Sequence, residues 1–305
     1  MSMKITVVMP AYREKTEQIR HAIESILSQT LQEFEYIIIL DDPENKDMEE
    51  LLRSYAEKDS RISFYINEKN CGCPYSKDRG IRLASTEYIA IMDGDDIAHP
   101  ERLEMQLKKI ENEKLDLVAG YVTVIDEEGK PLYDMVNLPL THETIAKKLR
   151  INNCMPHPTW FLKRNMYLEL GGYVDLYGCE DYDFLIRAVN AGYKLGMVDH
   201  IVLDYRLSTY SVSRNNLYKQ YLMMQFLQDK YYKHKIKYKS FDELLKIKYT
   251  DKKSEKYSKA SIYFEKAVSE KSKHAYIRMI CDLCKSVMTS KEYTVKILKY
   301  VMQEL

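Results

Sequence analysis

Tyr88-Ile89-Ala90-Ile91-Met92-Asp93-Gly94-Asp95-Asp96 decides how this chain is read. A short apolar run rich in isoleucine stops abruptly in three carboxylates set around a glycine. The run has the length and composition of a buried strand. Its acids then sit where the strand leaves its sheet, the end at which open α/β sheets bind ligands. Gly94 lets the backbone turn and lets another group approach closely. Three carboxylates this near one another repel unless a cation or hydrogen-bond donors neutralise them. Hard oxygen ligands of this kind suit Mg²⁺ or Mn²⁺, ions that usually also hold substrate phosphates. An isolated acidic turn is more often a solvated cap on the next helix, here one that Pro100 helps to start.

Outward from that stretch, strands and helices alternate. Lys4–Met9 is an apolar, β-branched run and predicts a first strand, with Pro10-Ala11-Tyr12-Arg13 as the loop at its end. Ile19, Ala22, Ile23, Ile26 and Leu27 form one stripe of a helix. Phe34–Leu40 reads as a second buried strand ending in Asp41-Asp42-Pro43, and Met48, Leu51, Leu52 and Tyr55 mark a second helix. Ile62–Ile66 is a third strand, Asn70–Pro74 a turn-rich loop, and a helix is expected from Tyr75 to Ala84. Helix Pro100–Glu113 and strand Leu117–Ile125 follow the acidic stretch. This alternation predicts an α/β fold with a mostly parallel sheet and helices on both sides. Right-handed crossovers would then bring Asp41, Asp42, Asp93, Asp95 and Asp96 to one rim. Beyond Ile125 the expected pieces are a hairpin turn at Glu128-Gly129, a helix from Thr141 to Leu149 and a strand at Thr159–Leu162. A helix opening at Glu180-Asp181 comes next, then closing strands Leu195–Val198 and Ile201–Leu207.

Overall charge names no partner, since 46 basic residues balance 46 acidic ones. Its distribution is uneven: residues 214–305 hold 21 basic and 10 acidic residues. Two modules are therefore expected, 1–213 as the α/β body and 214–305 as a basic helical extension rich in Tyr and Lys. No apolar run is long enough to span a membrane, and Met1–Met9 is too short for a signal-peptide core. The expected location is the cytoplasm. Six cysteines in such a chain do not suggest a disulfide framework, and Cys71-Gly72-Cys73 lacks the second pair of a zinc site.

In order along the chain, these residues resemble the inverting family-two glycosyltransferases with the GT-A fold. The resemblance runs from Lys4 to Ser213. It is carried by Val7-Val8-Met9-Pro10-Ala11-Tyr12, Ser25-Ile26-Leu27-Ser28-Gln29-Thr30, Asp41-Asp42 and the segment from Asn70-Cys71-Gly72 to Gly80. Asp93-Gly94-Asp95-Asp96, Gly171-Gly172-Tyr173 and Glu180-Asp181 complete it. Each piece alone is weak; with the last two counted as one landmark, six in register are a strong signal. The resemblance implies a nucleotide-sugar donor, with Pro10 and Tyr12 lining the base and Asp42 accepting the imide N–H of uracil. It implies Mn²⁺ or Mg²⁺ held by Asp95 or Asp96, with Asp93 and Asp95 near the ribose or the metal. Lys77 stands where the family often has Arg, so it would meet phosphate as a point charge without a bidentate fork. The general base is implied to be Asp181, with Glu180 beside it. His157 and Trp160 are candidates for the acceptor side, His157 also reading as structural and Trp160 also as core. Ser208 departs from the pattern, because many relatives place a His there, and Arg206 and Arg214 remain as candidate diphosphate contacts.

The reading is a metal-dependent inverting glycosyltransferase acting on a glycan or lipid-linked acceptor. A non-catalytic nucleotide- or glycan-binding module on the same fold is the alternative. A nucleotidyltransferase is a second alternative, but Pro10-Ala11-Tyr12-Arg13 lacks the glycine- and arginine-rich triphosphate loop it would need. For the basic extension the options are a solvated helical cap, a peripheral contact with anionic membrane, or helix pairing into a homodimer. Nucleic acid is not expected, as no recognised module supports it.

Overall fold

The computed structural model describes residues 3–176, 178–207, 217–232, 238, 240–272 and 275–304. The chain divides into two compact units. One comprises Met1–Ala146, Asn153–Val174 and Phe184–Leu207; the other comprises Lys147–Asn152, Asp175–Asp183 and Ser208–Leu305. The expected module boundary at Arg214, and Ser208 with it, lie outside the described residues.

The first unit is built on one nine-stranded sheet. In chain order the elements as far as β9 are β1 (Ile5–Ala11), α1 (Thr16–Leu27), β2 (Phe34–Leu40), α2 (Lys46–Lys58), β3 (Ile62–Ile66), α3 (Cys73–Leu83), β4 (Tyr88–Ile91) and β5 (Ile97–Ala98). Then come α4 (Arg102–Asn112), β6 (Leu117–Ile125), β7 (Pro131–Met135), α5 (His142–Leu149), a single 3₁₀ turn at His157–Thr159, β8 (Phe161–Lys163), α6 (Arg164–Glu169), α7 (Glu180–Asn190) and β9 (Leu195–Arg206). The strand order is β3-β2-β1-β4-β8-β6-β9-β5, with β7 paired to β6. Strands β1 to β4 run parallel, as do β6 and β9; short β8 runs antiparallel to both β4 and β6 and joins the two parallel blocks. Strand β1 is buried along its whole length, which is why its sequence is continuously apolar rather than alternating.

Two expectations need correction. Pro10 belongs to β1, not to a loop. It is tolerated in a central strand because β4 pairs β1 only as far as Val8, so a missing N–H at Pro10 breaks no ladder on that side. The two closing strands are one strand, β9, which follows β6 through register shifts at Gly120 and Tyr121.

Helix α3 lies directly on β1: a Cβ on Gly80 would stand 2.4 Å from Val8 Cγ1. Only a residue without a side chain permits that approach, and the approach sets the height of Lys77 above the sheet. Gly72, at φ +89°, caps the helix start in a conformation that favours glycine.

The second unit is helical: α8 (Leu217–Tyr231), α9 (Phe241–Lys248), α10 (Asp251–Ser272), α11 (Tyr276–Thr289) and α12 (Lys291–Glu304). Its core is a ring cluster in which Tyr257 lies 5.4 Å from Tyr218, 5.1 Å from Tyr221 and 5.0 Å from Tyr293, between ring centroids. The many tyrosines of the extension are thus partly packing residues. Gln228 Nε2 donates to the Ile151 carbonyl and to the Tyr182 hydroxyl, and that hydroxyl donates to the Leu149 carbonyl. These bonds gather Lys147–Asn152 and Asp175–Asp183 into this unit.

Candidate active site

The carboxyl ends of the four parallel strands carry Tyr12, Asp41-Asp42, Asn67 and Asp93. Asp41 does not face a ligand. Its Oδ1 accepts from Asn67 Nδ2 (2.6 Å) and the Cys71 N–H (2.9 Å), and its Oδ2 accepts from the Gly72 N–H (2.7 Å). Asp41 stands on the same rim as the other four acids, but its oxygens fasten the loop that starts α3. Asp42 accepts from Arg13 Nε at 2.8 Å, and the Arg13 guanidinium lies 5.0 Å from the Tyr12 ring centroid. Arg13 is largely exposed, so the pair is weakly held and open to exchange.

The acidic stretch is pressed against the first loop. A Cβ on Gly94 would stand 3.1 Å from the Pro10 carbonyl oxygen and 3.4 Å from Glu14 Cδ, with Ile19 Cδ1 at 2.8 Å. The glycine is what lets the loop after β4 nest beside the loop after β1. Glu14, which sequence patterning does not single out, becomes the fourth acid of the group, its Oε2 accepting from the Tyr12 N–H at 2.7 Å.

The charges of this group are poorly compensated. Burial, then the charges of Asp93 and Glu14, push Asp95 up to about 7. Burial, then Asp95 and Asp93, hold Asp96 well above the usual carboxylate range. Burial raises Glu14 as well, with Asp93 adding to the shift. Asp96 Oδ1 accepts from the Arg206 N–H (2.8 Å), whereas its Oδ2 is buried without a hydrogen-bond partner among the described residues. Two basic groups respond. Lys77, 2% exposed, sets its Nζ 2.6 Å from Asp93 Oδ1. Arg102 is buried on α4 and donates to the carbonyls of Ile91 and Pro158, its burial lowering it to about 10 against the opposing pull of Asp96 and Asp93. Arg206 is not a phosphate contact: it is 4% exposed, and it donates to the backbone carbonyls of Asp95, Asp126 and Glu127. It clamps the acidic loop from below. Arg102 was legible in principle, because Arg102 and Gln106 fall on the buried stripe of α4 with Leu103 and Ile110, where charge is out of place.

These side chains suit a divalent cation. They offer desolvated carboxylate oxygens, one of them unpartnered, beside a single lysine. Among the described residues no three His, Cys, Asp or Glu side chains form a closed cage.

Next to Lys77 lies an aromatic group from the first unit. His157 Nε2 is 2.8 Å from the Tyr173 hydroxyl, and burial, followed by the charge of Lys77, holds the imidazole well below its ordinary pKa. It is therefore neutral at pH 7 and half-buried. Trp160 is 0% exposed, with its Nε1–H donating to the Met155 carbonyl, so it is a core residue and not a sugar platform. Arg187 donates to the carbonyls of Leu170 and Gly172 and so pins the Gly171-Gly172-Tyr173 segment. Glu180 and Asp181 open α7 and belong to the second unit, where the first turn holds Glu180, Asp181 and Asp183 together. A helix N-terminus stabilises such charges.

Comparison with known proteins places this geometry in context. Residues 6–171 match the model of glycosyl transferase family 2. An uncharacterized glycosyltransferase of Methanocaldococcus jannaschii is 35% identical over 76% of this chain and 80% of its own length. The O-antigen biosynthesis glycosyltransferase WbnJ of Escherichia coli is 29% identical over 70% of this chain and 83% of its own. The amylovoran biosynthesis glycosyltransferase AmsE of Erwinia amylovora is 25% identical over 66% and 75%.

Proposed function

The chain belongs to glycosyl transferase family 2, and from that premise we propose that it transfers a sugar from UDP, with Mn²⁺ or Mg²⁺, to a hydroxyl of a cell-surface glycan or its lipid-linked precursor. The observation that carries the proposal is the undercompensated acidic group at the sheet's carboxyl rim, held against the first loop through Gly94.

Asp95, backed by Asp96, would hold the cation. Once bound, that ion supplies Lewis-acid stabilisation of the departing diphosphate. Lys77 adds a positive charge at the same place, and on donor binding it would exchange Asp93 for phosphate oxygen. Asp42 binds the imide N–H of uracil between Pro10 and Tyr12. The Arg13–Asp42 pair yields to it, because its arginine is largely exposed and held against solvent competition. Asp181, with Glu180 beside it, takes the proton of the acceptor hydroxyl. The hydroxyl oxygen bonds to the anomeric carbon as the carbon–phosphate oxygen bond breaks on the opposite face, so the sugar carbon inverts. Two relatives, an O-antigen biosynthesis and an amylovoran biosynthesis glycosyltransferase, support this acceptor class. The basic C-terminal helices, with 21 basic against 10 acidic residues over 214–305, would make peripheral contact with the inner membrane face; among the described residues no helix is long and apolar enough to cross a membrane.

The test is turnover of a panel of nucleotide sugars with and without Mn²⁺. Metal-dependent release of UDP, faster than release of GDP from GDP-sugars, supports the proposal. Nucleotide affinity with no turnover of any donor and acceptor would make the chain a binding module.

A further inference from the structure

We propose that the outer face of α11 is the surface that rests on an anionic lipid bilayer, an inference that deepens the peripheral-membrane reading above and depends on it. Helix α11 has an inner and an outer face. The inner one is fixed within its own unit, where buried Ser286 donates from Oγ to the Ala260 carbonyl of α10 at 2.7 Å. The outer one presents Ile277 (81% exposed), Ile280 (55%), Val287 and Met288 (86%), together with the exposed thiols of Cys281 and Cys284. These positions fall three and four apart, so they form one continuous stripe along the helix. Scattered single apolar residues are ordinary on a surface, but a stripe of six along two sides of one turn after another is a contact face.

The charges around the stripe select its occupant. From Lys271 to Lys291 the sequence carries five basic residues and one acidic residue. That acid, Asp282, is largely covered and tied to Lys285 at 2.8 Å. Among the described residues Arg278, Lys285 and Lys291 are exposed against this one largely covered acid, so the outward charge is net positive, with Arg278 and Lys285 along one edge of the stripe. A second copy of the chain would bring these like charges together over 14 residues of helix, two heptads, too short for an isolated coiled coil. An anionic headgroup layer matches both features, since the aliphatic side chains enter the acyl boundary while Arg and Lys remain among the phosphates. The helix lies in the surface rather than across it, being too short and too polar to span.

The experiment is flotation of the full chain with phosphatidylcholine vesicles containing 30% phosphatidylglycerol, and with pure phosphatidylcholine vesicles, at low and high salt. The wild-type chain is expected to float with the anionic vesicles and to lose binding as salt rises. The variant I277S/M288S, altered only at exposed positions, is expected to bind at least tenfold more weakly while UDP-sugar turnover stays unchanged. If the variant floats like the wild type, the α11 face is not the seat although the membrane reading stands. If the wild-type chain binds neither vesicle, the membrane reading falls and this inference with it. If the stripe instead drives self-association, seen as a dimer in sedimentation that the variant abolishes, the bilayer is the wrong occupant.

Discussion

Replacing Lys77 with Met tests the charge balance of the site. Lys77 is 2% exposed, Asp93 is 26% exposed, and their charged atoms stand 2.6 Å apart. Removing one member of a buried ion pair costs roughly 3–5 kcal/mol when the other is left dry. Water reaches Asp93, so roughly 2–3 kcal/mol is expected here. At about 2–4 °C per kcal/mol, the melting temperature should fall by roughly 4–12 °C. Three further readouts are tied to the same side chain. His157 is held low partly by Lys77, so its NMR titration should move upward, while burial still keeps it below its ordinary range. Asp96 is pulled down by Lys77, so it should be protonated to a higher pH in the variant. Affinity for UDP should fall by roughly 10–100-fold, the scale of one lost charge-assisted hydrogen bond. An unchanged melting temperature together with an unchanged His157 titration would mean that Lys77 points to solvent, and the compensation described here would be wrong.

Other perturbations address the remaining parts of the site. Gly94→Ala puts a methyl 3.1 Å from the rigid Pro10 carbonyl, so the acidic loop must shift; a loss of about 1–3 kcal/mol in unfolding free energy and weaker Mn²⁺ binding by calorimetry are expected. Asp181→Asn should keep UDP affinity within a few-fold and lower transfer by at least 10²-fold, and equal loss of both would make Asp181 structural. The pH dependence follows from Asp95, which titrates near 7 in the folded chain and near 3.8 when unfolded. Between those values the folded chain binds the additional proton, so without metal its stability should fall as pH rises from about 4 to about 7. Added Mn²⁺ should therefore raise the melting temperature more at pH 8 than at pH 5, and a pH-independent metal effect in a thermal-shift series would contradict the assignment.

The central strands and their ends were legible because β1, β2, β4 and β6 are buried on both faces. Apolar runs such as Phe34–Leu40 and Leu117–Ile125 have sharp edges, and the observed strands match them. Pro10 misled because proline signals a loop, whereas its position in the ladder depends on where β4 stops. Family membership was legible from motif order. Individual roles were not, because they depend on which partner each polar atom finds. Asp41 and Asp42 are adjacent in sequence, yet one fastens a loop and the other meets Arg13. Arg206 looks like a phosphate ligand until its guanidinium is seen donating to three carbonyls. Glu14 joins the acidic group only through the nesting that Gly94 allows, and nothing local in sequence announces that contact.

The most direct measurement is a crystal structure of the chain with Mn²⁺ and UDP bound. The cation is expected about 2.1 Å from an Asp95 oxygen and from diphosphate oxygens, with uracil against Asp42 and Lys77 turned to phosphate. Mn²⁺ bound away from the Asp93–Asp96 loop, or UDP seated apart from Asp42, would contradict the account.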